Sequence, residues 1–573
     1  MTEYQRPRDS LDSANIYSEQ SSTTSLEKQL EPYGVGKEVK DYTYGVINGN
    51  GDGIYKVDGT LSRTQTREVE ESDLESADDV KTIKDSQEYV APYTLFSYSQ
   101  KWIMVGLLTM CGFWSSLGSP IYYPALRQLE KQFDIDENLV NVTVVVYLLF
   151  QGISPTVCGG LADIYGRRPV ILFGMLVYIV ASIALACANS YGVIIFLRCL
   201  QSCGISPIIA ISSGCVGDFT MKAERGTFVG AVSGLVLLGQ AFGSLIGAAL
   251  AAAWDWRAIF WFLAIGAGCC LFVGILVLPE TKRTIVGNMS IKPKNIINRA
   301  PIFLLKSFQK RFKYDNPDYE TLDQNKPKLN LLAPFTIICQ PEIVLSLLPG
   351  GLQFALWTLM LSSISSELAI EPYNYKLIII GVCYLPAGMG GLLGSLITGR
   401  VIDIYYKKSL KKFDAMKEAK EIPEDKQFNI FKARLLPALP QNFIAVAAFI
   451  LFGWCVDKGL KVESILIVSF FGSYCAMSTL STSSTLLVDL YPGKSSTATS
   501  CFNFIRCSLS AMFMGCFAKM KGSITVGGTF TLIVGFLFVA NFLVMIPVMY
   551  GMEWRQKRAN KAELKAQSTM EAN

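Results

Sequence analysis

Histidine is absent from all 573 residues of the chain. This absence excludes a Ser-His-Asp or Cys-His catalytic site and any metal site with an imidazole ligand. A proton handled near neutral pH must therefore use a carboxyl group, or a cysteine, in a shifted environment. The 15 cysteines lie mostly inside apolar segments and never form a Cys-x-x-Cys pair, so we interpret them as small hydrophobic residues. We predict no enzyme activity, no metal and no cofactor.

Charged residues are also scarce, at 17% of the chain, whereas soluble proteins have about a quarter. Hydrophobic residues make up 51%, and the net charge of +5 is not gathered into one basic segment, which argues against a nucleic-acid partner. Residues 1–95 are polar and lack the basic region and apolar core of a signal peptide. They are too poor in aliphatic residues to bury a core, so we predict a disordered tail.

Apolar segments follow one another from residue 102 onward, each near the roughly 20 residues that a helix needs to cross a bilayer. Backbone amides inside hydrocarbon must be bonded internally, so these segments are predicted to be helices. The twelve predicted spans are 102–124, 139–160, 169–188, 192–214, 227–252, 257–278, 343–364, 377–399, 434–456, 462–487, 496–518 and 524–550.

The predicted spans divide the chain into five parts. These are a disordered cytosolic tail (1–95), an N-terminal six-helix bundle (96–279), a cytosolic central loop (280–340), a C-terminal six-helix bundle (341–551) and a cytosolic tail (552–573). The orientation follows from the loops after spans 2, 4 and 8 and the central loop, which are rich in Lys and Arg. Both termini are therefore expected in the cytosol.

The two halves show traces of an internal repeat. Residues 159–168 after span 2 read GGLADIYGRR, and residues 399–408 after span 8 read GRVIDIYYKK, with a carboxylate and paired bases at the same spacing. Span 4 ends at Asp218 and span 10 at Asp489. Two six-helix repeats around a central cavity are typical of secondary transporters. We therefore predict an all-α membrane protein with twelve transmembrane helices, the major facilitator fold.

Residues 159–171 match the GxLaDrxGrkxxL motif of the major facilitator superfamily. The residues that match define a predicted conformational latch: Gly159, Asp163, Gly166, Arg167 and Arg168. Glycine is expected to let two helices approach closely, and Asp163 to pair with bases and accept hydrogen bonds from a helix N-terminus. The alternative is that this segment is only a topology signal.

Two arginines interrupt apolar spans. Arg198 lies in residues 197–204, LRCLQSCG, which resemble the RxxqGxg motif of the same superfamily, and Arg506 lies in span 11. A cation inside a membrane needs a partner or a water-filled cavity, although Arg198 could instead extend to the outer interface. Together these arginines could hold an anionic substrate or neutralise carboxylates. With Asp218 and Asp489 they are the predicted proton-coupling or intramembrane charges.

Spans 5 and 7 carry two further predictions. Gly239, Gln240 and Gly243 resemble the GPxxGG motif of antiporters, with Gln240 in place of proline, and small residues here also favour helix packing. Gln353 and Trp357 lie one helical turn apart in span 7. Together with Asn503 of span 11, these two residues are predicted to line the substrate cavity.

With these motifs, the chain resembles the twelve-span fungal drug:H+ antiporters over roughly residues 90–555. It is most similar to the yeast transporters of quinidine resistance and of short-chain monocarboxylic acid resistance. The stretches that carry this resemblance are Val140–Tyr147, Ala258–Gly266, Leu278–Arg283 and Asp315–Glu320. The resemblance implies a plasma-membrane exporter of drugs, weak monocarboxylic acids or amino acids, driven by inward proton flow through alternating access. The expected partners are a small-molecule substrate, protons and the lipid bilayer, and a monomer is expected.

Two other functions stay open at this point. The same fold serves passive facilitators and sugar-like uptake transporters, although Tyr406 breaks the sugar-porter form of the second repeat. A nutrient sensor that signals through its long tail is the third hypothesis. Span 1 has no Asp or Glu between Trp102 and Ala125, so no proton-carrying carboxylate can be assigned there.

Overall fold

The computed structural model describes residues 45–47, 54–56, 92–312, 317–319, 322, 333–419, 427–491 and 495–571. Within the tail, β1 (Gly45–Ile47) and β2 (Ile54–Lys56) pair in antiparallel order. These six residues are the described part of residues 1–91, and the disordered tail stays a prediction. The remainder of the tail up to residue 91 lies outside the described residues. From residue 93 the chain is part of the helical bundle, where Phe96 is buried against Phe219 and Phe312.

Twelve long helices follow in two sets of six. They are α1 (Tyr98–Leu117), α2 (Glu137–Tyr165), α3 (Arg167–Ala186), α4 (Tyr191–Phe219), α5 (Lys222–Ala253), α6 (Trp256–Val277), α7 (Pro341–Glu367), α8 (Leu377–Glu418), α9 (Leu439–Asp457), α10 (Val462–Leu490), α11 (495–523) and α12 (526–543). We call α1–α6 the first half and α7–α12 the second half. The predicted fold class, with six helices in each half, is confirmed.

Two of these helices are shaped by local breaks in the backbone. Pro207 has no N–H to donate, and α4 is accordingly split into Tyr191–Ile205 and Pro207–Phe219. Between α11 and α12 the backbone leaves helical geometry at Ile524 and Thr525, where Thr525 has φ of 63°. A turn of only two residues therefore reverses the chain between the last two spans.

Shorter helices connect the long ones. They are 3-10 helices at Pro120–Ala125, Ile296–Asn298, Pro301–Leu304 and Leu436–Ala438, and α-helices at Leu126–Phe133, Arg283–Val286, Lys306–Arg311, Ala333–Ile338 and Ile430–Leu435. Part of the predicted central loop is thus folded, and Phe312 within it is fully buried. A further helix of 27 residues, Met545–Glu571, follows α12 and includes most of the predicted C-terminal tail (552–573). Helix α8 runs well past its predicted end at residue 399.

Large apolar side chains face outward along the helices. Phe173 on α3, Phe196 on α4 and Phe272 on α6 are about two-thirds exposed, at 67%, 66% and 64%. In water such a surface would be unfavourable, whereas in a bilayer it contacts lipid tails. Helices of this length and hydropathy occur in both halves, so the protein is a multi-pass membrane protein.

The halves meet where glycines remove side-chain bulk. A Cβ atom at Gly152 of α2 would lie 3.2 Å from Cys507 Cβ of α11. On the other side of the bundle, a Cβ atom at Gly388 of α8 would overlap the carbonyl group of Ala241 on α5. Small residues allow this close packing, which drives helix association in lipid.

The Gly388 contact gives a direct test of the packing between the halves. We expect Gly388→Val to destabilise the folded protein by about 1–3 kcal/mol, because overpacking must separate α5 from α8. The control is Gly535→Ala on α12, since a Cβ atom there meets nothing within 4 Å. Thermal unfolding in detergent would measure both variants. Equal stability of Gly388→Val and the wild type would contradict this packing.

Candidate functional site

Four charged side chains of the first half meet at one end of the bundle. Arg167, at the start of α3, lies 2.9 Å from the Asp163 carboxylate of α2 and 3.1 Å from the Asp218 carboxylate of α4. Lys282 lies 2.7 Å from the same Asp163 oxygen. We call these four residues the first charge cluster, and the end that holds them the basic end. The cluster ties the ends of α2, α3 and α4 together.

The carboxylate at the N-terminus of α3 belongs to Glu280, not to Asp163. Glu280 is 1% exposed and accepts backbone hydrogen bonds from Arg167 at 2.8 Å and Arg168 at 3.2 Å. The backbone N–H groups of Thr281 and Lys282 also donate to Glu280, each at 3.0 Å. Burial raises the pKa of Glu280, and these backbone donors oppose the rise. Our prediction that Asp163 would accept bonds from a helix N-terminus is therefore wrong, because Glu280 occupies that place.

The two glycines of the predicted latch have different surroundings. Gly166 has φ of 108°, and a Cβ atom there would overlap the Glu280 carboxylate, so both the backbone and the space require glycine. Gly159 has no atom within 4 Å of a Cβ position. The predicted close helix approach at Gly159 is absent from this conformation.

Arg168 is not part of the charge cluster. Its guanidinium donates to the backbone carbonyls of Ile275 at 2.5 Å and Leu278 at 2.6 Å, and to that of Ile297. Arg168 therefore fastens the start of α3 to the end of α6 and the segment that follows it.

The second half has an equivalent cluster that the sequence only partly revealed. Arg434 lies 2.7 Å from Asp403 of α8 and 2.7 Å from Asp489 of α10. Its guanidinium also stands over the Tyr406 ring, 4.1 Å from the centroid. We call Asp403, Arg434 and Asp489 the second charge cluster. Asp489 and Asp218 thus each close a cluster at the end of a helix.

Arg434 was missed because the two repeats were compared by spacing. Arg167 follows Asp163 by four residues, and the residue four after Asp403 is Lys407, which is exposed. Helix α8 continues through this point, so the arginine comes from the short helix Ile430–Leu435 just before α9. Arg434 is the first residue of predicted span 9 and Arg167 lies two residues before predicted span 3, so a comparison of the starts of these two spans would have pointed to it.

Arg198 is enclosed in the first half. It is 1% exposed and lies between the rings of Tyr122 and Tyr147, with centroid distances of 4.1 and 4.2 Å. One guanidinium nitrogen donates to Gln201 at 2.7 Å, and no carboxylate among the described residues pairs with it. Aromatic faces stabilise a cation when water is excluded. The alternative that Arg198 extends to the interface is therefore wrong.

Arg506 and Asn503 lie where α11 meets the first half. Arg506 donates to the Asn503 side-chain oxygen at 2.9 and 2.6 Å and stands 4.5 Å from the centroid of the Phe354 ring. The Asn503 amide donates to the backbone carbonyl of Gln151 on α2 at 2.6 Å. Asn503 was predicted to line the cavity, and in this conformation it joins the two halves.

A small cavity lies between α5 of the first half and α7, α8 and α10 of the second. Its volume is about 10 Å³, and its lining includes Gln240, Trp357, Gly391 and Met477. That is room for about one water molecule. The Trp357 indole N–H is buried without a hydrogen-bond partner, and its ring stacks on Phe354 at 5.6 Å. Trp357 thus lines this small cavity, and its role as a substrate contact stays a prediction.

Of the remaining predicted residues in α5 and α7, Gln240 lines this cavity and the others lie around it. Gln353 donates to the Asn442 side chain at 3.0 Å, inside the second half. Gly239 and Gly243 of α5 face α1 and the segment after it, where Cβ atoms would lie 2.8 Å from the Phe113 carbonyl and 3.1 Å from Pro120. Gln240 points away from that contact and reaches the cavity.

The opposite end of the bundle carries a group that the sequence analysis did not single out. Lys521 of α11 lies 2.9 Å from Glu137 of α2 and 2.7 Å from Glu367 of α7. Ser365 also donates to the backbone carbonyl of Tyr123 at 2.8 Å. These charged residues fall just outside the predicted apolar spans, so a search confined to the spans overlooked them.

Comparison with known proteins now decides the family. The family model described as Major Facilitator Superfamily matches residues 108–515. The chain belongs to the major facilitator superfamily. Its relatives are fungal transporters, and the predicted resemblance to the drug:H+ antiporters of this superfamily is confirmed.

Three relatives of this superfamily member show the range of similarity. The chain is 68% identical over 512 residues to "Probable transporter AQR1" of Saccharomyces cerevisiae, covering 88% of this chain and 87% of the relative. It is 67% identical over 527 residues to "Multidrug transporter AQR1" of Candida glabrata, covering 91% and 88%. It is 41% identical over 485 residues to "MFS antiporter QDR1" of Candida albicans, covering 84% and 94%.

A solved member of the superfamily supports the fold. The structure of the xylose transporter XylE from E. coli, in a partially occluded inward-open conformation, aligns with a TM-score of 0.56 at 12% identity. The alignment covers 78% of this chain and 97% of XylE. At this identity the likeness concerns the fold alone.

The two charge clusters predict equal roles for Arg167 and Arg434. We expect Arg167→Gln and Arg434→Gln each to lower the free energy of unfolding by about 1–3 kcal/mol, because each leaves two carboxylates without their shared cation. The control is Arg400→Gln, an exposed arginine of α8 at the same end. Thermal unfolding would measure all three. A stable Arg434→Gln beside an unstable Arg167→Gln would contradict the equivalence.

Proposed function

We propose that this protein exports drugs and small metabolites across the plasma membrane in exchange for protons, by alternating access. Weak monocarboxylic acids and amino acids are included among the proposed metabolites. The observation that carries the proposal is the cavity between the halves, because secondary transporters bind substrate at the interface of their repeats. The relatives named "Multidrug transporter" and "MFS antiporter" support export and proton exchange.

The lining of the cavity suits apolar substrates with a hydrogen-bond acceptor. None of its lining residues is charged, and Trp357 and Gln240 are the groups there that can donate a hydrogen bond. Arg198 and Arg506 lie outside this lining in the present conformation. A substrate would enlarge the cavity as the halves move apart, since its present volume of about 10 Å³ has room for only about one water molecule.

The distribution of contacts supports alternating access. At the basic end, each charge cluster stays within its own half, so both halves can move as rigid bodies. At the opposite end, Lys521 and Ser365 contact the other half directly. By the positive-inside rule, we place the basic end and both termini in the cytosol. The opposite end, which we call the outer end, then faces outside and is closed here. A monomer suffices for this cycle.

The charge clusters are proposed to act as latches. Asp163, Arg167 and Asp218 fix the cytosolic ends of α2, α3 and α4, and Gly166 and Arg168 shape the start of α3 between them. Asp403, Arg434 and Asp489 do the same in the second half. Gly239 and Gly243 keep α5 close to α1, so that α5 moves with the first half.

Efflux of a labelled weak acid tests the proposed function. Cells with and without the protein would be preloaded with labelled benzoate, and efflux followed before and after an ionophore collapses the proton gradient. We expect protein-dependent, uphill efflux that stops with the ionophore. Protein-dependent flux that runs only downhill and ignores the ionophore would reject proton exchange and favour a passive facilitator.

Trp357 provides a test of the cavity. We expect Trp357→Phe to raise the KM for exported substrates that carry a carbonyl acceptor by about five- to tenfold, the effect of losing one hydrogen bond of about 1 kcal/mol. Aromatic contact is kept, so kcat should change little. The matched control is Trp454→Phe on α9, whose indole is 41% exposed and bonds Thr531. An unchanged KM in Trp357→Phe would remove this residue from the substrate site.

A further inference from the structure

Contacts that cross between the halves at the outer end centre on one lysine. Lys521, near the end of α11, is shared by Glu137 at the start of α2 and Glu367 at the end of α7. Its contact with Glu137 is the ion pair that joins the first half to the second within the described part of the chain. The Ser365–Tyr123 hydrogen bond lies beside it and adds a second crossing.

The group has more carboxylates than cations. One lysine serves two glutamates, so the three side chains carry a net charge of −1 when both glutamates are ionised. Only one oxygen of Glu137 reaches Lys521, and its other oxygen, Oε1, is buried without a hydrogen-bond partner. A buried acceptor left unpaired is unfavourable. A proton bound to Glu137 would remove the excess charge and leave Lys521 paired with Glu367 inside the second half.

Water can reach these side chains. The exposed fractions are 22% for Lys521, 26% for Glu137 and 13% for Glu367. Protons from the external medium can therefore bind without passing through the bundle. The carboxylates are also sheltered enough that their attraction to Lys521 is screened less than in a fully exposed pair.

We propose that Glu137, Glu367 and Lys521 form a proton-operated lock on the outer end. A proton from the external medium binds the Glu137 carboxylate, and the neutral carboxylic acid no longer attracts the Lys521 ammonium group. Loss of this attraction frees α2 from α11 and lets the outer end open. Loss of the proton restores the carboxylate and the closed lock. The lock rests on the proposed proton exchange and assigns it a proton-binding site.

Other charged groups at this end are placed to respond to solvent rather than to the lock. Those nearest to the lock along the chain are exposed and form no ion pair with one another or with the lock among the described residues: Lys131, Asp134 and Asp136 before α2, Glu371 and Lys376 after α7, and Lys519 on α11. Two other pairs at this end stay inside the first half, Arg127 with Glu130 at 2.7 Å and Arg257 with Asp255 at 3.1 Å. Ser366 donates to Glu367 at 3.2 Å and is not titratable in this range. Only the lock carboxylates therefore lie in a contact that crosses between the halves.

The distance between the two halves at the outer end would test the lock. Spin labels on unnatural amino acids, which avoid the native cysteines, would replace exposed Trp254 after α5 and exposed Leu460 after α9. Pulsed electron resonance would measure their separation near neutral pH and at about pH 5, toward the range where glutamate carboxyls titrate. For the wild type, we expect a single short distance near neutral pH and at least a tenfold rise in the population of longer distances at the lower pH.

Variants separate the lock from a general effect of pH. We expect Glu137→Gln/Glu367→Gln to show the longer distances at both pH values, with the pH response lost. Lys521→Gln removes the same ion pair from the lysine side, so it should show the longer distances too. This second variant keeps the test valid if the double variant folds poorly. Lys519→Met, on the same helix, is the matched control and should behave as the wild type.

Two results would overturn the lock. One is a wild-type distance that does not change with pH, and the other is a wild-type pH response that persists in both Glu137→Gln/Glu367→Gln and Lys521→Gln. The measurement needs no substrate, so it is independent of the efflux assay. A lock that opens in a protein without proton-dependent efflux would reject the proposed exchange and leave the lock in place.

Discussion

An arginine shared by two carboxylates holds the end of each half together. In the first half, Arg167 pairs with a carboxylate at the end of α2 and another at the end of α4. In the second half, Arg434 pairs with carboxylates of α8 and α10. Side chains in this position are only partly screened by water, so the pairs are stronger than those on an open surface. The rest of the proposed cycle depends on this constraint, because rocking of two halves requires that each half keeps its own shape.

The interface between the halves is built differently. Its central part has few polar contacts, with glycines at α2–α11 and α5–α8 that let backbones approach. Asn503 contributes a hydrogen bond across α11 and α2, and Lys521 an ion pair farther out. A surface of small apolar residues can separate without leaving unpaired charges behind. Strong polar contacts within each half, and few between them, are the arrangement that a moving transporter needs.

Much of the architecture could be predicted from the sequence. Twelve apolar segments and the recurrence of Asp163 and Asp403 at equivalent helix ends were sufficient for the fold, because the bilayer leaves helices as the available structure. The contacts of the candidate site were harder to predict from the sequence. Glu280 accepts hydrogen bonds from the free N–H groups at the start of a helix 113 residues away in sequence. Asp403 pairs with Arg434, whereas simple spacing had given it Lys407 as the partner. Such pairings depend on how helices are packed, which a hydropathy pattern does not specify.

The position of Arg198 between two tyrosine rings has a consequence for acid tolerance. A buried arginine paired with aspartate would lose its partner as the surroundings became acidic. Phenol rings keep their electron-rich faces at every pH below about 10, where tyrosine begins to ionise. The stabilising contacts of Arg198 with Tyr122 and Tyr147 are thus the same in acidic and in neutral media. In acidic surroundings, the contacts that hold Arg198 in the first half therefore do not depend on the protonation of a carboxylate.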